Sequence, residues 1–423
     1  MSQILLYEDD LVPQLYPVVV GRPAFAVACG GYRLCDLLAE LNWPIACRVR
    51  DHLRQIVELD YTACCRPLVE GRPVLVLNAR LVPSALALAE IGTIGQMSLR
   101  SSALFRTHDG QLAAAWLTAA DAQRAAQATE PLQQFLPTLS ASTKQLPEGS
   151  PLALFDYPHD IVRHHLKIFA GNVAHRLRLS GLEQTTDGVF LAPGAKLGPY
   201  ITTDTSQGPI VLEAGATVGP YCYLRGPVWL GPGTRVLEHS VLKDGVAAGH
   251  TVKIGGEVEA SIIEAYTNKQ HHGFLGHTYL GSWINLGAGT CNSDLKNTYG
   301  TVNMEYRGRK VSSGMQFIGA IVGDYAKTAI NTGIFTGKTV GVCSMVYGYV
   351  TTNVPSFVNY ARLFGQLTEA PVEVMVSTQR RMFERRGVEQ RPCDIQLLHD
   401  MHALTTHERQ ALGETLSIEP LSL

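Results

Sequence analysis

The sequence predicts an α/β N-terminal domain joined to a parallel β-helix of hexapeptide repeats, with helices capping its C-terminal end. Three observations carry this prediction. An aliphatic residue recurs at every sixth position through the middle of the chain, short apolar runs lie near the N-terminus, and helix-forming stretches follow Pro355.

The repeat is the strongest of the three. Leu212, Val218, Leu224, Leu230, Val236, Leu242, Ala248 and Ile254 succeed one another at period six, a run expected by chance about once in a thousand for one chosen phase. Neither an α-helix, with period 3.6, nor a strand, with period 2, gives that spacing. A coil with three flat sides does: each hexad forms one side, one aliphatic side chain points inward, and successive coils of about 18 residues stack by parallel backbone hydrogen bonds. Leu191 and Leu197 read as an earlier rung pair in a different phase. Phe274, Leu280 and Leu286 form a later run, and Val322, Thr328, Ile334, Val340 and Val346 form another. The phase shifts between 254 and 274 and again between 291 and 322. The second shift begins at the polar stretch Cys291–Gly300, which reads as a loop thrown out from the coil.

Before the coil, Ile4-Leu5-Leu6-Tyr7 and Val74-Leu75-Val76-Leu77-Asn78 suit buried strands, and Tyr32–Leu41 and Ala85–Ile91 suit helices. Pro158–Leu179 reads as a connecting helix with a proline in its first turn, and His164 and His165 on it are expected to face solvent. After the coil, Val372–Arg386 and Asp394–Leu416 are expected to be helical and to cover the open end, where strand edges would otherwise be unpaired. The expected divisions are 1–155, an α/β domain; 156–185, the connector; 186–355, the β-helix; and 356–423, the helical extension.

Composition narrows the function classes. The 423 residues exceed one ordinary core. A net charge of -2 leaves no cationic excess for a general nucleic-acid binder. No apolar run reaches the roughly 20 residues that span a bilayer. Glu8-Asp9-Asp10 follow the first apolar run at once, unlike a secretory leader. The nine cysteines contain one adjacent pair, Cys64-Cys65, and no CxxC. This is the usage of reduced thiols in a soluble cytoplasmic protein.

The segment from His271 through Gly276-His277-Thr278-Tyr279-Leu280-Gly281 to Asn285-Leu286-Gly287-Ala288-Gly289-Thr290 resembles the acetyltransferase core of the bacterial bifunctional N-acetylglucosamine-1-phosphate uridylyltransferase / glucosamine-1-phosphate acetyltransferase family. Val252–Val258, Asn268–His271, Asn292 with Leu295-Lys296-Asn297, and Lys327–Gly333 are similar to a variant branch of that family. The resemblance covers about residues 190–350. It implies a left-handed β-helix that forms a homotrimer with active sites shared between subunits. It also implies acetyl-CoA as cosubstrate and an amino-sugar phosphate as acceptor, in sugar-nucleotide synthesis for UDP-N-acetylglucosamine and cell-envelope precursors.

The family register also assigns roles. Matching Phe274, Leu280 and Leu286 to the family's rungs places the catalytic histidine at His271. The conspicuous alternative, His277 before Tyr279-Leu280-Gly281, requires a gap. The same register makes Asn285 the active-site asparagine and Ala288 a CoA contact, and it puts Asn292 and Lys296 in the substrate loop. Arg225 has the phase of a phosphate-binding arginine. Lys243 shares that phase one coil later, and Lys253 fits the variant branch; the sequence leaves both open. Histidine titrates close enough to neutrality to take a proton from an attacking amine. Backbone N–H groups of Gly287-Ala288-Gly289 would stabilise the oxyanion, and Arg and Lys would hold the phosphate by charge-assisted hydrogen bonds.

In the family, the N-terminal domain is a nucleotidyltransferase that uses Mg²⁺ and a nucleoside triphosphate. Here Glu8-Asp9-Asp10, Gly21-Arg22-Pro23 and Asn78-Ala79-Arg80-Leu81 follow the variant branch instead. Cys29-Gly30-Gly31-Tyr32-Arg33 lacks the spacing of a phosphate loop and reads as a turn. The resemblance thus implies a nucleotidyltransferase-like fold, with activity left open and Asp9 and Asp10 as weak metal candidates. Two rival readings stand: a nucleotidyltransferase whose β-helix only trimerises or binds ligand, and a scaffold or sensor with both sites decayed.

Overall fold

The computed structural model describes residues 2–413, 416–418 and 421. The chain forms two compact units: the first runs to Leu15 and then over Arg22–Tyr157, and the second combines Tyr16–Gly21 with Pro158 onwards.

The first unit holds a six-stranded sheet. Ile4–Tyr7 is paired in parallel with Ile45–Arg48 on one side and Val74–Asn78 on the other. Both apolar runs anticipated as strands are therefore neighbours, and every residue of each is buried, as expected where a sheet is covered on two faces. The expected helix near Ala85 spans Ala85–Gly95, started by the Ser84 hydroxyl accepting from the Ala87 amide. Gly30 and Gly31 have φ of 61° and 76° inside a turn closed by reciprocal Cys29 and Tyr32 backbone bonds, so this stretch is a turn, as its spacing suggested.

The second unit is the parallel coil. Its three faces recur in the order A, B, C. Face A carries Ile210–Leu212, Val228–Leu230 and Val246–Ala248; face B carries Thr217–Val218, Arg235–Val236 and Lys253–Ile254; face C carries Tyr223–Arg225, Val241–Lys243 and Glu257–Glu259. Partners sit one coil apart, as in Leu212↔Leu230 and Val218↔Val236. All the sixth-position aliphatics from Leu212 to Ile254 are buried in one continuous core. That shared core, with a ladder bond at nearly every step, lets strands of two or three residues persist.

The phase shifts have local causes. The coil from Ala248 to its partner Ile263 is shorter than those before it. In the next coil the inward residue on face C is Leu275, 3% exposed and paired with Val258, whereas Phe274 is only half-buried. The rung expected at Phe274 therefore lies one residue later, because the step from Leu275 to the next inward residue, Leu280, is one residue short of a hexad. The chain then leaves the coil after Cys291–Asn292, forms the hairpin Asn303–Tyr306 and Arg309–Ser312, and returns at Ala320–Val322, which pairs with Tyr279–Leu280.

Pro158–Leu179 is one helix, laid against face A. Phe169 and Val173 pack on Val211 and Ala247. His165 is fully buried, with Nε2 2.9 Å from the Gly245 carbonyl oxygen. The expectation that His165 faces solvent fails because the helix turns this side toward the coil. Past the last coil, Val358–Ala361 and Gln366–Glu369 pair antiparallel, and the helices Val372–Glu384, Pro392–Leu404 and Thr406–Gln410 follow. The single helix expected over Asp394–Leu416 is instead two, broken at Thr405 and ended at Gln410; residues 414 and 415 lie outside the described residues. The helix Val372–Glu384 also reaches back along the coil's flank, where Phe383 packs on Trp283 at 4.5 Å between ring centroids. Among the described residues, no helix is long and apolar enough to cross a membrane.

Candidate active site

Two groups of polar side chains gather on the coil. The first lies at the corner between faces C and A. His277 occupies that corner with φ 47°, its amide donating to the Glu259 carbonyl at 3.1 Å. Its Nδ1 lies 2.9 Å from Oδ2 of Asp294, and the Phe317 ring stacks on the imidazole at 5.4 Å. Asp294 stands where the chain leaves the coil. It can approach because residue 276 is glycine: a Cβ there would lie 2.5 Å from the Asp294 carboxylate. Glu259 completes a cluster in which its oxygen, the His277 nitrogen and the Asp294 oxygen all lie within 4.8 Å of one another. A carboxylate on Nδ1 fixes the imidazole's tautomer and orientation and leaves Nε2 as the proton acceptor.

The second group is on face B. Lys253, Asn268 and Asn285 follow one another in parallel register, and Arg235 precedes Lys253 one coil earlier. The chain just past the helix Val372–Glu384 adds Arg385 and Arg386, with Nη2 of Arg386 donating to Oδ1 of Asn268 at 2.6 Å. Desolvation lowers the Lys253 ammonium pKa, and the neighbouring charges that lower it further are Arg386, Arg385 and Arg235, all cations. Arg386 is lowered in the same way, by desolvation and then by Arg385 and Arg235. Four cations crowded together while partly desolvated favour an anion between them.

The remaining expected residues are sorted by their partners. Arg225 forms a two-pronged pair with Asp244, with Nε donating to Oδ1 at 2.9 Å. Lys243 bonds Glu257 at 2.8 Å and Glu259 at 3.1 Å, which raises its pKa. Both expected phosphate ligands on face C thus already hold carboxylates, whereas the charges acting on Lys253 are cationic. Asn292 is 4% exposed and sits inside the coil, its amide exchanging two 3.0 Å bonds with the backbone of Gly276. A substrate contact expected at Asn292 instead satisfies backbone groups in the core. Lys296 donates to the Thr301 carbonyl within its own loop.

His271 is exposed at the corner between faces B and C, with Nε2 3.1 Å from Nε2 of Gln270. Asn285 is exposed and Ala288 half-buried. The Gly287 and Gly289 amides donate to Thr328 and His272 carbonyls of neighbouring coils. The coil stacking therefore occupies two of the three N–H groups expected to form an oxyanion hole. Arg235, Asp294 and the Arg385-Arg386 pair were not singled out from sequence. Arg235 could have been, since it precedes a rung just as Lys253 does; the others depend on chain folding back from a distance.

In the first unit, a cleft of about 1080 Å³ opens at the C-terminal ends of Ile4–Tyr7 and Ile45–Arg48, lined by Glu8, Asp9, Asp10, Arg50, Arg54 and Arg66 among others. Ligands of open α/β sheets bind at such strand ends. Asp9, however, is held by Arg80, which is fully buried and donates from Nε at 2.9 Å and from Nη2 at 2.8 Å; Asn78 adds a bond at 2.7 Å. Glu8 is held by Arg50. Mg²⁺ needs free carboxylate oxygens, so the weak candidate Asp9 does not fit, and of the three acidic residues Asp10 alone is exposed.

The fold is thus a parallel β-helix of hexapeptide repeats together with a nucleotidyltransferase-like α/β domain. Residues 4–175 match the family of sugar nucleotidyl transferases. The chain's curated homologues are bifunctional proteins. It is 28% identical over 153 residues to a bifunctional sugar-1-phosphate nucleotidylyltransferase/acetyltransferase of Sulfurisphaera tokodaii, covering 35% of this chain and 37% of the relative. It is 34% identical over 168 residues to the bifunctional protein GlmU of Streptococcus pyogenes, covering 38% of this chain and 32% of the relative. The chain thus spans between about a quarter and little more than a third of the length of the curated relatives it matches. A solved UDP-N-acetylglucosamine acyltransferase of Francisella novicida is similar over 54% of this chain and 78% of its own, at 14% identity and a TM-score of 0.34.

Proposed function

We propose that the β-helix transfers an acetyl group from acetyl-CoA to the amine of an amino-sugar phosphate, with His277 as general base. The observation that carries this reading is the His277–Asp294 contact in a cluster with Glu259. Asp294 holds Nδ1, and Nε2 takes the proton released as the amine attacks the thioester carbonyl. The C–S bond then breaks and the CoA thiolate leaves. Both substrates carry phosphates, and the cationic group of Arg235, Lys253, Arg385 and Arg386 supplies the matching charge. A homotrimer, with one subunit's corner meeting another's face, is part of this proposal.

His271 is the second candidate, favoured by the corner it shares with face B. Release of thiol from acetyl-CoA in the presence of glucosamine-1-phosphate tests the activity. A His277→Ala protein that keeps full turnover while His271→Ala loses it would reverse the assignment.

For the first unit we propose sugar-nucleotide synthesis at its cleft as a second activity. It is tested by release of pyrophosphate from a nucleoside triphosphate, a sugar-1-phosphate and Mg²⁺. If neither reaction occurs, the reading as a ligand-binding scaffold gains.

A further inference from the structure

Four of the nine cysteines converge in the first unit. Cys35 lies beside Cys64, and Cys47 beside Cys65; the Cys65 thiol donates to the Val57 and Tyr61 carbonyls at 3.4 and 3.6 Å. The two pairs differ in access. Cys35 is 5% exposed and Cys64 1%, whereas Cys65 is exposed and Cys47 half-buried. Cys47 lies on the strand Ile45–Arg48. The chain after Cys65 is tied to that strand by the Arg66 amide, which donates to the Ile45 carbonyl at 2.9 Å. Both residues line the large cleft, beside Arg48 and Arg66.

We propose that Cys47 and Cys65 form a thiol–disulfide site in the wall of this cleft, oxidised by a small disulfide such as oxidised glutathione. Cys65 is the accessible sulfur and reacts first. It loses its proton to solvent, and its thiolate attacks one sulfur of the small disulfide. That S–S bond breaks, and one small thiolate leaves and is protonated. Cys47, shielded from bulk reagent but in contact with Cys65, then loses its proton and attacks the Cys65 sulfur of the mixed disulfide, expelling the second small thiol. Two protein thiols are oxidised, one small disulfide is reduced to two thiols, and the protons balance. Burial is the leading cause raising both thiols above their ordinary range. The thiolate is therefore scarce near neutrality, and the reaction accelerates with pH. The cross-link fastens the segment bearing Arg66 to the strand bearing Arg48, on the surface that any ligand of the cleft would meet.

The test uses the full chain, incubated with excess oxidised glutathione at mildly alkaline pH, alkylated, digested without reduction and read by mass spectrometry. The expected result is one linked peptide pair joining Cys47 to Cys65. The Cys47→Ser protein should retain glutathione on Cys65, the Cys65→Ser protein should leave Cys47 free, and the Cys35→Ser/Cys64→Ser protein should form the same link. A wild-type protein that links Cys65 to Cys64, or keeps glutathione on Cys65 with Cys47 alkylated, overturns the proposal. The readout is covalent mass, so it does not depend on whether the cleft is catalytically active.

Discussion

Nδ1 of His277 and Oδ2 of Asp294 lie 2.9 Å apart although the two residues are separated by nearly a full coil of chain. The contact exists because the chain leaves the solenoid just past Asn292 and because residue 276 has no side chain to block the approach. Removing the imidazole with His277→Ala should lower kcat for acetyl transfer by a factor of about 10² to 10⁴, the usual contribution of a general base. Asp294→Asn should reduce kcat less and displace the pH–rate profile, since it removes the partner that orients the ring. Steady-state kinetics across pH 5–9, with His271→Ala as comparison, decide the matter.

On face B, Lys253→Ala and Arg235→Ala should weaken binding of a phosphate-bearing substrate by about tenfold each, within the range of a charge-assisted hydrogen bond. Arg225→Ala should leave binding unchanged, because its guanidinium is already held by Asp244. Calorimetric titration with glucosamine-1-phosphate and, separately, with CoA would show which ligand's phosphate the cluster holds.

Asn292→Ala tests a structural role. Loss of the two bonds to Gly276 leaves its buried N–H unsatisfied, at about 1–3 kcal/mol, while its carbonyl keeps the Thr278 hydroxyl as donor. Denaturant unfolding should show the loss while KM stays unchanged in the folded protein. A raised KM at unaltered stability would return Asn292 to the substrate loop's contacts.

Lys269 stands in an aliphatic column, one coil after Ile254. It is 2% exposed, and its ammonium donates to the Gly255 and His271 carbonyls. Burial lowers its pKa to about 8, and Lys327 is lowered to about 8 for the same reason. Both lie below the ordinary value near 10.4. Between these limits the unfolded chain binds more protons than the folded one, so these groups make stability rise with pH from about 8 to about 10.4. Thermal melts over that interval should show a smaller rise in Lys269→Met than in wild type. An identical slope would mean that the buried ammonium has no such effect.

How legible the molecule was depended on how local each feature is. The aliphatics from Leu212 to Ile254 announce the coil because each occupies an equivalent place, and Ile4–Tyr7 and Val74–Asn78 declare strands by being apolar almost throughout. The register failed at Phe274 because a step one residue short, from Leu275 to Leu280, shifts the count without any local mark. The ion pairs of Arg225 and Lys243 were invisible because their partners lie a coil away at no fixed spacing. Asn292 looked like a loop residue because it is polar, yet the interior needed its amide. Arg386 reaches Asn268 only through the fold of the C-terminal helices.

That last contact gives the extension a second consequence. A solenoid can gain or lose a coil and keep its shape, which makes it tolerant of insertion during evolution. The tie between Arg386 and Asn268 measures a fixed length of coil, because the helix must come back to one particular level. A coil added between Asn285 and Val358 would carry the extension away from face B and separate the four cations. The arm behind the β-helix thus acts as a ruler, holding coil number constant across that stretch in any descendant that keeps the cationic group.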